Sequence, residues 1–229
     1  MWMIRILFLS VLTSLMYSCG GATGSTAGDG KLYMRTMSWA AGTLDISWYY
    51  VTSDKIVVNP VGGADPVDMA VETARNARNV ASYRDLGDGQ WEVKWGDGRT
   101  QTVRVEMKGG DVSAFDGGLM SEIKPFPDSH FEDLTYTGLA STGQVTRFVK
   151  IFFGKDGRFT MYRLGSVTGG PGTVGVGADE QTSAGQYDIK GNTVHFRYDD
   201  GTEWITVGQP YDLGNGEMIL GDQLFKKPS

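Results

Sequence analysis

The chain has 229 residues, among them 33 glycines and one cysteine, and a formal net charge of −6. This length allows two small domains or one large barrel, and a single cysteine excludes an intramolecular disulfide. Because the acidic balance repels phosphate backbones and no cluster of Lys and Arg offsets it, we expect no nucleic acid among the partners.

The N-terminal residues have the pattern of a targeting segment. Arg5 is the only charge before Cys19, and residues 6–16 form an apolar run of eleven residues. A helix needs about 20 such residues to span a bilayer, so the run is typical of a signal-peptide core. Residues 1–18 are therefore predicted to be a signal peptide.

Residues 15–20 read Leu-Met-Tyr-Ser-Cys-Gly. This run resembles the signal of bacterial lipoproteins, in which an apolar residue lies three positions before the cysteine and a small residue directly before it. The resemblance implies that the signal is removed and that Cys19 becomes the acylated N-terminus, which anchors the protein to a membrane. In that family, Gly20 rather than Asp after the cysteine implies the outer membrane of a Gram-negative cell envelope. An ordinary secretory signal with an incidental cysteine is the alternative.

Residues 19–30 are rich in Gly, Ser and Thr, which predicts a flexible tether after the lipidated cysteine. A first repeat is predicted over residues 31–126. Its one helix begins with Asp65 as the cap and Pro66 as the first residue, and extends over roughly 13 residues. Alternating apolar runs between turn residues predict strands at 32–39, 44–51, 55–61, 81–86, 90–95, 100–107, 112–115 and 119–123.

A second repeat is predicted over residues 127–229. Its strands are expected at 134–139, 146–153, 158–164, 185–189, 193–198, 203–207 and 218–225, the last with a break at 221–222. Where the first repeat has its helix, the second has the glycine-rich residues 165–184. This stretch is predicted to be a long loop, either functional or merely disordered.

The two repeats share a hairpin. Residues 91–98 read Trp-Glu-Val-Lys-Trp-Gly-Asp-Gly, and residues 194–201 read Val-His-Phe-Arg-Tyr-Asp-Asp-Gly, at an offset of 103. Both alternate apolar and polar residues and end on a turn. Elsewhere, Tyr49 and Tyr50 are matched to Phe152 and Phe153, and Tyr83 to Tyr187. We therefore predict an all-β protein of two tandem antiparallel meanders, with one closed barrel built from both repeats as the alternative.

Residues 185–201 and the run Ile-Leu-Gly-Asp-Gln-Leu-Phe at 219–225 resemble the lipocalin-like small barrels of bacterial lipoproteins. The resemblance implies barrels whose interior can hold an apolar ligand, and it transfers no binding residue. From strand alternation, the residues expected to line such a cavity are Phe159, Phe196, Tyr198 and Ile205. Trp91 and Trp95 are the candidates in the first repeat, although core packing is the simplest explanation for them.

Residues suited to catalysis or metal binding are few. His195 lies near Asp199 and Asp200, but on the polar face of its strand, and a lipidated Cys19 leaves no thiol nucleophile or Cys-based metal site. Turn aspartates such as Asp97 and Asp156 satisfy backbone groups. We expect no catalytic residue, no metal and no cofactor.

Three functions remain open. The first is a non-enzymatic binding module for a small apolar ligand or an envelope component. The second is a structural or interaction lipoprotein that contacts protein or glycan through loops and exposed aromatics such as Trp204, which is out of phase with Ile205. The third, a hydrolase, requires two carboxylates in one cleft.

Runs 48–51 and 148–153 are apolar on both faces, and we expect them where the repeats pack together.

Overall fold

The computed structural model describes residues 30–38, 44–131, 133–142, 145–167, 179–211 and 216–227. These residues form two closed barrels, each of eight antiparallel strands that pair in sequence order. The predicted fold class is confirmed, and the alternative of one shared barrel is wrong. The predicted signal peptide, Cys19 and most of the tether lie outside the described residues.

The first barrel closes by pairing its last strand with its first, where Tyr33 lies opposite Glu122. Its interior holds aromatic and β-branched residues from alternate positions, and Val93 at its centre is fully buried. The strands are β1 (Lys31–Ser38), β2 (Leu44–Val51), β3 (Lys55–Val58), β4 (Val80–Gly87), β5 (Gln90–Trp95), β6 (Thr100–Lys108), β7 (Asp111–Phe115) and β8 (Gly118–Glu122).

The second barrel closes in the same way, with Phe225 of its last strand opposite Gly138 of its first. Its core contains Phe153, Phe159, Phe196 and Phe225. The strands are β9 (Leu134–Thr142), β10 (Val145–Phe153), β11 (Arg158–Val167), β12 (Asp179–Lys190), β13 (Thr193–Tyr198), β14 (Glu203–Tyr211), β15 (Glu217–Leu220) and β16 (Gln223–Lys226).

Both ends of the glycine-rich loop predicted over residues 165–184 are strand. β11 continues to Val167 and β12 begins at Asp179, so that Gly165 lies opposite Asp179 in the ladder. Backbone pairing does not need apolar side chains, which is why the sequence pattern ended these strands too early. Residues 168–178 lie outside the described residues.

The helix α1 (Met69–Arg75) follows β3 and is shorter than predicted, with a 3₁₀ turn at Ala77–Asn79 after it. The predicted cap is wrong. Asp68 caps the helix, because its Oδ1 accepts from the amides of Ala70 at 2.8 Å and Val71 at 3.2 Å. Asp65 instead accepts from the backbone amide of Asn192 in the second barrel. In the described part of the chain, no helix is long and apolar enough to cross a membrane.

The repeated hairpin occupies equivalent places in the two barrels. Its first strands, β5 and β13, are the fifth strand of each barrel, and Gly98 and Gly201 in its turns have φ values of +89° and +85°. Such values suit glycine because it has no Cβ. Tyr83 and Tyr187 lie on the fourth strand of each barrel. The duplication predicted from these residues is therefore visible as matching topology.

Part of the predicted alignment is wrong by one residue. The Tyr83 hydroxyl donates to the Thr52 carbonyl at 2.7 Å, and the Tyr187 hydroxyl donates to the Gly154 carbonyl at 2.9 Å. The two bonds are equivalent in the two barrels, so Thr52 after β2 aligns with Gly154 after β10, at an offset of 102 (154 minus 52). A shift of one residue turns every side chain to the other face. The core residue Tyr49 therefore cannot match Phe152, which is exposed.

Outward-facing apolar residues join the two barrels. Trp48 and Val57 of the first barrel are buried in one cluster with Val207 and Ile219 of the second. The expectation that run 48–51 lies at the packing surface is confirmed, whereas the outward-facing Phe152 of run 148–153 is 43% exposed.

Candidate ligand-binding site

The candidate site lies at one end of the second barrel, called here the mouth, where the turns at 199–202 and 221–222 meet. A cavity of about 410 Å³ opens at the mouth. Small-molecule sites have volumes of roughly 300–1,000 Å³ and mostly apolar walls. The apolar part of its lining includes Val149, Met161, Trp204, Leu220 and Phe225.

Strand alternation places these side chains. On β11, Phe159 and Met161 point into the core and are almost fully buried, and the next residue on that face is Arg163. Arg163 is half-buried and lines the cavity. Arg163 was not among the predicted site residues, although its position follows from the sequence, because it continues the inward alternation of Phe159 and Met161 on the same strand.

Trp204 forms part of the cavity wall and stacks on Phe196, with ring centroids 4.9 Å apart and an interplanar angle of 15°. The two residues are directly opposite in the β13–β14 ladder, whereas Ile205 is opposite His195 on the outer face. The assignment of Ile205 to the interior and Trp204 to the other face is therefore wrong. The cause is the interface between the barrels: Val207 is apolar because it packs against the first barrel.

The structure separates the other expected lining residues. Phe159 and Phe196 pack edge to face in the core, with centroids 5.0 Å apart, and line neither cavity at the mouth. In the first barrel, Trp91 and Trp95 are buried core residues, and Trp91 stacks on Tyr83 at 4.0 Å. Only Tyr198, in a second cavity, lies where a ligand could reach it.

That second cavity has a volume of about 310 Å³ and shares Arg163 and Trp204 with the first. Arg163 donates from Nη2 to the Tyr198 hydroxyl at 2.9 Å, and its Cζ lies 5.9 Å from the ring centroids of both Tyr198 and Trp204. Cation–π contacts of this kind hold a guanidinium in place. Gln181, Ser183, Asp200 and Thr202 complete the lining.

The turn aspartates serve their own turns. Asp97 Oδ1 accepts from the amide of Arg99, and Asp156 Oδ1 from the amide of Arg158. Asp200 Oδ1 accepts from the hydroxyl and the amide of Thr202 at 2.6 Å and 2.9 Å, and these bonds hold the pKa of Asp200 below its usual value.

His195 lies on the outer face of its strand, 3.2 Å from the Glu203 carboxylate and away from the cavities. Within the described ranges, no group of three or more His, Cys, Asp or Glu residues is placed to hold a metal ion.

No protein-family model matches the chain, and no curated protein or solved structure is significantly similar to it. Function is therefore inferred from the geometry and chemistry of the mouth.

Proposed function

We propose that this protein is a lipid-anchored binding protein of the bacterial cell envelope, and that its second barrel binds a small apolar ligand without converting it chemically. One observation carries the proposal: the cavity of about 410 Å³ at the mouth, with mostly apolar side chains around Arg163. When an apolar ligand enters this cavity, its apolar surface is removed from contact with water, which favours binding.

The anchor is proposed from the sequence around Cys19. The tether ends at residue 30 and β1 begins at Lys31, so the proposed anchor would hold the barrels close to the membrane. Because stable anchoring needs more than one acyl chain, we propose full lipoprotein acylation at Cys19. The proposed localisation is therefore the cell envelope, and in a Gram-negative cell the outer membrane.

Metabolic labelling with an alkyne analogue of palmitate tests the anchor. We expect the wild-type chain to be labelled and to fractionate with membranes, and Cys19→Ser to lose both properties. A labelled Cys19→Ser chain would show that another residue is acylated.

Native mass spectrometry of protein purified from the envelope of its own host tests binding, after cleavage in the tether. We expect a reproducible extra mass that disappears on denaturation. Val149→Phe adds a ring to the cavity wall and should lose the extra mass. Lys150→Gln, exposed on the outer face of the same strand, is the matched control and should keep it. A bare wild-type mass would count against the proposal.

Contact with protein or glycan through the outer surface is the second candidate. Leu44 and Leu119 are 55% and 67% exposed, and both lie on outer faces beside β1. Their exposed side chains are available to a partner protein or glycan. The inward position of Trp204 removes one aromatic from this candidate. Crosslinking in intact envelopes tests it, with capture expected for wild type and lost in Leu119→Glu.

A further inference from the structure

Two cavities with different chemistry meet at the mouth of the second barrel. The larger has the apolar walls Val149, Met161 and Phe225, and the smaller is lined by polar residues, including Ser183. Arg163 and Trp204 border both, so one molecule can occupy the two cavities side by side. Such a molecule needs an apolar part and a polar part.

Arg163 determines the sign of the polar part. Arg163 is half-buried, and none of the ion pairs among the described residues includes it. By contrast, Arg158 on the outer face of the same strand pairs with Asp199 at 3.2 Å. A partly desolvated cation that forms no ion pair is unfavourable, and an anionic group in direct contact with it offsets that cost. The rings of Tyr198 and Trp204 position the guanidinium for this contact.

Ser183 supplies an independent indication. Its Oγ is buried and has no hydrogen-bond partner, although it lines the same cavity as Arg163. Ser183 lies opposite Met161 in the β11–β12 ladder, and Gln181 lies opposite Arg163, so both point towards the interior. Because buried hydroxyls are almost always hydrogen-bonded, an unpartnered one in the same cavity as an arginine without an ion pair points to an acceptor that the chain itself does not supply.

Two acidic residues limit the charge of that acceptor. Asp200 lines the smaller cavity and Asp222 the larger, and both are exposed at the rim. Their negative charges disfavour a dianion next to the single cation Arg163. We infer that the ligand is a monoanionic amphiphile, whose apolar chain fills the larger cavity and whose head group accepts hydrogen bonds from Arg163 and Ser183. This inference rests on the proposed function and adds the ligand's chemical class.

Isothermal titration of the mature chain tests the inference, with Cys19→Ser to remove the acyl group and both barrels intact. The probes share one chain length: decanoate, decanoyl lysophosphatidylglycerol, decanol and decyltrimethylammonium. We expect an anionic probe to bind at least about tenfold more tightly than decanol, since charge-assisted hydrogen bonds are strong. The anionic probe with the higher affinity shows whether the site prefers a carboxylate or a phosphodiester head group.

Variants distinguish the contribution of the ligand's head group from that of its apolar chain. Arg163→Gln should weaken the anionic probe about tenfold and leave decanol within about twofold. Ser183→Ala should weaken the anionic probe several-fold. Arg158→Gln is the matched control, with the same charge change on the same strand, and should leave all affinities unchanged. Arg163→Lys, which keeps the charge, should retain part of the preference.

The outcomes distinguish the two proposals. Equal affinities for decanoate, its phosphodiester counterpart and decanol overturn the anionic head group and leave apolar binding standing, and this comparison needs only the wild-type protein. The same conclusion follows if Arg163→Gln changes nothing. If none of the four probes binds, and the protein purified from its host is bare, apolar binding fails and the head-group inference fails with it.

Discussion

The indole Nε1 of Trp48, on the outer face of the first barrel, donates to the carbonyl oxygen of Gly221 at 2.7 Å. Trp48 is almost fully buried between the barrels. Gly221 belongs to the turn between β15 and β16, and the residues after it, Asp222 and Gln223, line the larger cavity. The contact between the barrels therefore also supports one side of the mouth.

Trp48→Phe tests that support. It keeps an aromatic ring in the interface but removes the donor to Gly221, so we expect the free energy of unfolding to fall by about 1 kcal/mol or more. Amide hydrogen exchange should become faster in the turn at 221–222. The turn at 154–157, at the opposite end of the barrel, is the internal control. Unchanged exchange at 221–222 would show that the bond does not hold the turn.

Glu72 should be important for the stability of the first barrel. It is fully buried on α1, where its Oε1 accepts from the Gly62 amide at 2.8 Å and its Oε2 from Asn76 Nδ2 at 3.0 Å. Glu72→Ala removes the side-chain acceptor of the Gly62 amide and one of the bonds of Asn76 Nδ2, which also donates to the carbonyls of Val58 and Asn59, and should cost about 2 kcal/mol or more. Glu72→Gln should cost less because it keeps one acceptor. Arg75→Gln, at the exposed end of the helix, is the control in urea denaturation.

Ser183→Ala should leave the ligand-free protein as stable as wild type, or slightly more stable. The Ser183 hydroxyl is buried without a partner, so its removal breaks no hydrogen bond and deletes an unfavourably buried polar atom. Thermal unfolding of the two proteins without ligand checks this. A loss above about 1 kcal/mol would mean that the hydroxyl has a partner in the free protein.

Tyr187 should make the protein sensitive to alkali. Burial raises the pKa of Tyr187 to about 12. In the unfolded chain a tyrosine ionises near pH 10, so the unfolded state loses its proton first as the pH rises. Stability is therefore full below about pH 10 and falls between about pH 10 and 12.

Tyr187→Phe should lower the slope of unfolding free energy against pH in this range. Burial also raises the pKa of Tyr49 and Tyr83, so part of the slope should remain. Urea denaturation at a series of pH values measures it, and equal slopes in wild type and variant would contradict the prediction.

Turns and alternation predicted most of the strands because both are local properties. Asp200 and Gly201 form a hairpin turn through local features: the Asp200 side chain accepts from the Thr202 amide, and Gly201 adopts a positive φ. The matching faces of β5 and β13 followed from a period of two, and the structure buries Trp91, Val93 and Phe196 as that period requires. The site was harder to predict, because Arg163 is a charged residue at an inward position, where strand alternation favours apolar side chains.

The all-β class, the duplicated hairpin and the positions of most turns follow from the amino-acid sequence alone. Which apolar face points into a barrel became clear only from the arrangement of the strands in three dimensions. The alternation of Ile205 and Val207 predicts core residues, yet both face outward, and Val207 packs against the first barrel. Trp204 faces the cavity instead. The physical reason is that burial in a barrel and burial between barrels favour the same side chains. Only the relative position of distant strands distinguishes the two.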